Sequence, residues 1–159
     1  VRRFLVVTST EAFKRQPHIH AKILTAALLI SNGVRQDAEA VFYLVDLDRA
    51  VKVVGARVKR LYPDEESAAG FLKKAILGKP LPGVVVKSGV RELALGALLG
   101  PEGPQQCLPK PPFTYLVKLQ EYGISPHCGL GLGNLPPHHQ VAVVNIAADR
   151  LLYGRRPWP

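Results

Sequence analysis

The residues whose types and spacing could do chemistry gather late in the chain. In Cys128-Gly129-Leu130-Gly131-Leu132-Gly133-Asn134 every second position is glycine. Glycine lets backbone N–H groups approach a ligand without Cβ hindrance and tolerates positive φ. The stretch therefore reads either as a ligand loop or as a plain connection. It is not a dinucleotide fingerprint, which needs a preceding strand, a following helix and a later acidic residue. Pro136-Pro137 is expected to block an immediate helix. Five histidines, His18, His20, His127, His138 and His139, join Cys128 as donor types suited to zinc. Neither paired-cysteine spacing nor a His-Glu-x-x-His helix organises them, so solvated histidines and no metal are expected. A nucleophile built from Cys128 and its neighbour His127 would need facing side chains, which adjacent residues rarely provide.

Other polar residues have two readings each. Asn145 is expected at the end of an apolar strand, either bonding a ligand or capping a helix over 146–152. Arg35 and Asp37 form either an ordinary surface ion pair or a functional one. Tyr153 and Trp158 beside Arg155-Arg156 could stack on exposed bases, or simply form an untidy terminus.

The elements that must position these residues alternate. Phe4–Thr8 is β-branched and aromatic, as a first strand should be. Apolar positions 19, 23, 24, 27, 28 and 30 share one helical face, with Asn32-Gly33 as its stop. Glu39–Val45 and Ala50–Val54, joined by Asp46-Leu47-Asp48-Arg49, predict an antiparallel hairpin. Pro63-Asp64-Glu65-Glu66 opens a helix with proline at its first position, and Ala68, Phe71, Leu72, Ala75 and Ile76 form its buried stripe up to Gly78. Val84–Lys87 predicts a strand and Arg91–Leu99 a short helix ending at Gly100. Five prolines make 101–112 a connector. Thr114–Leu119 and Val141–Asn145 are the last predicted strands. The alternation points to one mixed α/β domain spanning residues 1–159.

Composition narrows the setting. With 159 residues, 47% of them apolar, the chain can bury a single core. The longest apolar run, Ile23–Ile30, is interrupted by Thr25 and too short to span a bilayer. Two cysteines, Cys107 and Cys128, make no disulfide framework, and no leader-like segment opens the chain, so a cytoplasmic location without membrane association is expected. Twenty-one Lys+Arg against twelve Asp+Glu, a net charge of +9, favours a nucleic-acid partner, with plain solvated surface charge as the alternative.

The stretch Val53-Val54-Gly55-Ala56-Arg57-Val58-Lys59-Arg60-Leu61-Tyr62-Pro63-Asp64-Glu65, continuing to Phe71-Leu72-Lys73-Lys74-Ala75, resembles the archaeal tRNA pseudouridine-54 N1-methyltransferases of the SPOUT superfamily. Ser31-Asn32-Gly33-Val34-Arg35-Gln36-Asp37 is similar to that family's Ser-x-x-Ile-Arg-x-Asp, and Val41-Phe42-Tyr43 to its hairpin. Pro82-Gly83-Val84-Val85-Val86 with Arg91-Glu92-Leu93 is similar to its Pro-Gly-Ile strand and next helix. His127-Cys128-Gly129-Leu130-Gly131 is similar to its His-Ile-Gly-Ile-Gly loop. The resemblance covers roughly residues 19–99 well and the remainder patchily. It implies a SPOUT-like α/β domain with a C-terminal trefoil knot. It further implies S-adenosylmethionine bound in the knot loops, a homodimer, and methylation of N1 of pseudouridine in the tRNA T-loop.

Residue by residue, the resemblance implies donor contacts at Leu116, Gly129, Leu130, Gly131, Gln140 and Val141, the last on an apolar strand Val141–Val144. It makes Arg35 a tRNA-side contact, joined by Arg57, Lys59 and Arg60 from the basic stretch. Three departures stand out. Gln16-Pro17-His18 replaces the family's Arg-x-Asp, and Gln140 replaces a cysteine. The segments between Leu119 and His127 and between Gly133 and His138 are shorter than the family's. Two competing readings follow: a non-catalytic RNA-binding relative, and a ribosomal RNA pseudouridine methyltransferase of the same superfamily.

Overall fold

The computed structural model describes residues 1–31, 33–89 and 94–154. Its centre is a seven-stranded sheet built around β1, Arg2–Thr8. Flanking it on one side are β4, Ala38–Leu44, β5, Arg49–Val54, and β6, Val84–Ser88. On the other side are β8, Phe113–Lys118, β7, Ala97–Gly100, and β9, Cys128–Gly129. The sheet is parallel from β4 through β1, β8 and β7 to β9, while β5 and β6 join antiparallel at the edge. A small separate pair, β2 (Leu29–Ile30) and β3 (Gly33–Val34), completes the strands. The expected α/β class is what the fold shows.

A central parallel strand is covered on both faces, so its sequence is almost continuously apolar. Phe4 and Val6 point into the main core, with Ala40 and Phe42 of β4 and Phe113 and Tyr115 of β8. Three helices cover that face: α2 (Pro17–Leu28), α3 (Glu65–Ile76) and α4 (Pro137–Tyr153). The opposite face carries Leu5, Val7, Val41, Tyr43, Leu98 and Leu116, packed beneath Tyr122 and Ile124. A short helix α1, Thr10–Arg15, is capped by Ser9, whose hydroxyl accepts from the Ala12 N–H at 3.0 Å.

The hairpin of β4 and β5 forms as expected, Phe42 facing Val51. The third helix also forms, but Asp64 is its cap, accepting from Ser67 N–H at 2.9 Å, and Pro63 precedes the cap rather than entering the helix. The helix expected to reach Ile30 ends at Leu28, where the chain turns into β2. Two assignments are overturned. Ala97–Gly100 is a strand, not the end of a helix, because its backbone pairs with β8 and β9. The start of that expected helix, Arg91-Glu92-Leu93, lies outside the described residues, as does Asn32.

Val141–Asn145 is helical, not a strand. Pro137 starts α4 instead of blocking it, since proline's missing N–H is free of cost in a first turn. Gln140, Val141, Val144, Asn145 and Ala148 form the buried face, a helical period that the run Val-Ala-Val-Val disguised. Cys107 and Cys128 are joined as a disulfide, with Cα atoms 5.8 Å apart, which corrects the expectation that the two cysteines make no disulfide framework. The bridge arises because β9 lies along the proline-rich connector that carries Cys107.

Candidate functional site

The glycine-rich loop is held by the connector between β7 and β8 on both of its edges. Gly129 N–H donates to Gln105 O at 2.8 Å, and Gly129 O accepts from Cys107 N–H at 3.3 Å. On the other edge Leu130 N–H donates to Gly100 O at 3.1 Å and Leu132 N–H to Pro101 O at 3.0 Å. Gly133 N–H reaches the Glu102 carboxylate at 3.2 Å. Residues 129–132 therefore run between the end of β7 and the 105–107 stretch.

Two glycines here are required for different reasons. A Cβ on Gly129 would lie 2.5 Å from Gly103 N and 2.6 Å from the Glu102 carbonyl carbon, so close approach of two backbones demands glycine. Gly131 has φ +69° and open space around it, so its requirement is conformational. The amides of residues 129, 130, 132 and 133 are spent on the connector. Among the described residues Gly131 presents the open stretch of main chain, flanked by half-buried Leu130 and Leu132.

Gln140 and Val141 lie on the first turns of α4, directly after this loop. Gln140 is buried and bridges two neighbours: its Oε1 accepts from the Tyr115 hydroxyl at 3.0 Å and its Nε2 donates to Leu135 O at 2.9 Å. Burial, assisted by the Glu102 charge, raises the Tyr115 pKa well above its ordinary value, so this phenol stays protonated as a donor. Val141 is fully buried in the main core. Leu116 belongs to the opposite face of the sheet, beside Leu5, Leu98 and Tyr122. The structure thus brings Gly129, Leu130, Gly131 and Gln140 into one neighbourhood and leaves the Leu116 side chain across the sheet from Val141.

The basic candidates also divide. Arg57, Lys59 and Arg60 are exposed on the loop after β5, and Arg60 adopts φ +60°. Gly55 and Gly83 seat this loop: a Cβ on Gly55 would lie 2.1 Å from Arg35 O, and one on Gly83 2.4 Å from Val58 N. Arg35 differs. Its side chain is only 11% exposed, and its Nη1 donates to both Asp149 oxygens at 2.9 Å. Asp37, its expected partner, instead accepts from Arg2 at 3.1 Å.

Arg2 is the residue sequence reasoning missed. Its side chain is 1% exposed and donates to Asp37, to Asp149 at 2.8 Å and to Asn145 Oδ1 at 3.1 Å. Asn145 in turn donates to Ala26 O and Ala27 O, carbonyls of the last turn of α2, so it serves the end of that helix rather than capping one over 146–152 or facing a ligand. No local signal could have marked this, because the partners of Arg2 lie on β4's approach and on α4.

The histidines scatter. His20 is buried between Thr8 Oγ1 at 2.7 Å and Gln16 O at 2.7 Å. A carbonyl only accepts, so Nδ1 carries the proton and Nε2 accepts from Thr8. Burial lowers its pKa despite the Gln16 bond. His138 and His139 lie with ring centroids 4.3 Å apart and planes tilted by 56°, and the His138 pKa is lowered by burial and then by His139 and Lys22, with Glu65 opposing. Among the described residues no three His, Cys, Asp or Glu side chains gather as a metal site. Cys128 is spent in the disulfide and serves neither as nucleophile nor as ligand. Tyr153 is exposed, while Arg155, Arg156 and Trp158 lie outside the described residues. No helix among the described residues is long and apolar enough to cross a membrane.

No family model matches the chain. Two curated proteins do, and both are described as tRNA (pseudouridine(54)-N(1))-methyltransferase. The one from Methanopyrus kandleri is 37% identical over 86 residues, covering 50% of this chain and 42% of that protein. The one from Halobacterium salinarum is 32% identical over 90 residues, covering 50% of this chain and 45% of that protein. The chain thus spans less than half the length of the curated relatives it matches. The resemblance stated from the motifs is borne out by these two similarities.

Proposed function

We propose that this chain is the working part of an S-adenosylmethionine-dependent methyltransferase that methylates N1 of pseudouridine in the T-loop of tRNA. The observation that carries the reading is the similarity to two archaeal proteins named for that reaction. S-adenosylmethionine supplies a methyl group already activated on a positively charged sulfur. What remains for the protein is to hold donor and acceptor in line while the N1 proton leaves.

The residues present fit a flat, largely apolar adenosine group. At Gly131 nothing within 4 Å would obstruct a ligand reaching the main chain, and Leu130 and Leu132 supply apolar walls. Gly129, locked between two stretches of the connector, would hold that loop rigid, and Gln140 would fix the start of α4 beside it. The two-sided pairing of residues 129–132 supports a threaded chain, which is the geometry a trefoil knot requires. We read residues 1–159 as one such SPOUT-like domain. Exposed Val143, Ile146 and Leu151 on α4 support its pairing as a homodimer. The net charge of +9 and the exposed Arg57, Lys59 and Arg60 suit tRNA in a cytoplasmic enzyme.

A second reading is an RNA-binding relative without methyl transfer. It is favoured by one observation: four amides of the glycine-rich loop are already bonded within the chain. Calorimetric titration with S-adenosylmethionine separates the two. Saturable one-to-one binding, followed by methylation of pseudouridine-containing tRNA, supports the enzyme. A folded sample of verified mass that binds tRNA but no donor leaves the RNA-binding reading.

A further inference from the structure

The largest of the three described cavities, about 560 Å³, lies far from the glycine-rich loop in the chain. It opens between α1, the first residue of α2, the turn from β4 to β5 and the last turn of α3. Its lining has two chemical characters. Phe13 and Ile76 reach it from the core, while Leu47 and Leu77 are 45% and 64% exposed at its edge. Around them stand three cations from three different elements, Lys14, Arg49 and Lys73.

The cavity itself supplies no counter-charge to those cations. No carboxylate lines the cavity, and no ion pair of Lys14, Arg49 or Lys73 occurs among the described residues. The two acids of the nearby turn direct their oxygens to neutral donors, Asp46 to Thr10 and Asp48 to the Tyr43 hydroxyl at 2.5 Å, so they keep their charge but pair with none of the three cations. Arg49 spends one N–H on Ile76 O at 3.3 Å and keeps its remaining donors. An apolar floor ringed by spaced, unpaired cations suits a ligand with a flat face and more than one negative charge. A single carboxylate, as on a fatty acid, would leave most of that charge unmatched.

We propose that this cavity takes one unstacked nucleotide of an RNA strand, its base against Leu47, Leu77 and Phe13 and its flanking phosphates on Lys14, Arg49 and Lys73. The inference rests on the RNA-binding part of the function proposed above and adds a contact that shares no residue with the Arg57–Arg60 loop. Stacking on an apolar platform with phosphates on lysines is sequence-tolerant, so this contact contributes affinity and register rather than base choice.

The test uses the whole 159-residue chain and a fluorescent single-stranded 12-nucleotide RNA carrying 4-thiouridine. Lys14→Glu combined with Lys73→Glu should weaken binding by about tenfold and lower the slope of log affinity against log salt by about 0.7 per lysine. Lys87→Glu with Lys110→Glu, both exposed and outside the cavity lining, makes the same change of about four in net charge and should stay within about twofold of the parent. Photocrosslinks in the parent should map within residues 10–17, 47–49 or 73–77. If the Lys14 and Lys73 variant behaves like the Lys87 and Lys110 control while Arg57→Glu with Lys59→Glu abolishes binding, the cavity assignment is overturned and RNA binding stands. If the parent binds no RNA, both readings fall. Laurate competing for a cavity that RNA does not occupy would also overturn it. Should the Lys14 and Lys73 variant not fold by circular dichroism, the crosslink map of the parent decides.

Discussion

Arg2 Nη1 and Asp149 Oδ1 are 147 positions apart in sequence and 2.8 Å apart in space. The pair ties the start of the central strand to the last helix, and Asp149 holds Arg35 at the same time. Two guanidinium groups thus depend on one nearly buried carboxylate. Charges removed from water are tolerated only while partnered, and removing one partner leaves the other exposed to the full desolvation penalty.

Asp149→Asn should therefore destabilise the fold by about 3 kcal/mol, far more than an ordinary surface ion pair would. Urea unfolding monitored by circular dichroism measures it. A loss of only a few tenths would mean that Asp37 and Asn145 suffice for Arg2.

The glycine-rich loop gives a contrast between two neighbours. Gly129→Ala would drive a Cβ to 2.5 Å from Gly103 N, a clash of backbone with backbone that no rotamer relieves. It should lower stability by about 2–4 kcal/mol and remove donor binding together with it. Gly131→Ala meets open space and bears only its φ of +69°, so about 1 kcal/mol is expected. Thermal melts of both variants in parallel check the ordering, and equal losses would contradict it.

Burial lowers the His20 pKa, the Gln16 bond opposing it in part, so the unfolded chain binds its proton more readily than the folded one. Stability is then complete above the ordinary value near 6.5 and falls as pH drops below it, levelling once the folded ring also protonates. His138, lowered by burial and then by His139 and Lys22, adds a contribution of the same sign. Urea midpoints should decline from pH 7.5 to 5, and His20→Gln should flatten that decline. An identical slope in the variant would remove His20 as its source.

How much of this was legible depended on how local the cause was. Phe4–Thr8, the hairpin at Asp46–Arg49 and the stripe from Ala68 to Ile76 are set by short-range pattern, and they formed as read. Val141–Asn145 misled because Val-Ala-Val-Val has strand composition, while the helix is selected by what Val141, Val144 and Ala148 bury. Leu98 and Leu99 became a strand because β8 and β9 are there to pair with, a fact absent from their own neighbourhood. The glycine-rich loop stands out in the sequence by its alternation, which leaves a ligand loop and a plain connection both open. What it did not disclose was that Gly129 serves an approach of backbone to backbone, which only the fold of the connector reveals.

The basic candidates make the last prediction, because exposure separates residues that motif matching grouped together. Arg35 has its guanidinium on Asp149 and is mostly buried, whereas Arg57, Lys59 and Arg60 lie free on a loop anchored by Gly55 and Gly83. Phosphate contacts come from side chains that can leave water for an anion without abandoning a buried partner. Arg35→Ala should therefore cost about 1–2 kcal/mol of stability and change tRNA affinity little once the folded fraction is accounted for. Arg57→Glu with Arg60→Glu should do the reverse, leaving the melt within about 0.5 kcal/mol while weakening tRNA binding and lowering its salt slope by about two. Paired unfolding curves and salt-dependent binding titrations on the same samples measure both quantities. A loss of tRNA affinity confined to the Arg35 variant would mean that its guanidinium leaves Asp149 when RNA arrives, and would turn the ion pair into part of the binding surface.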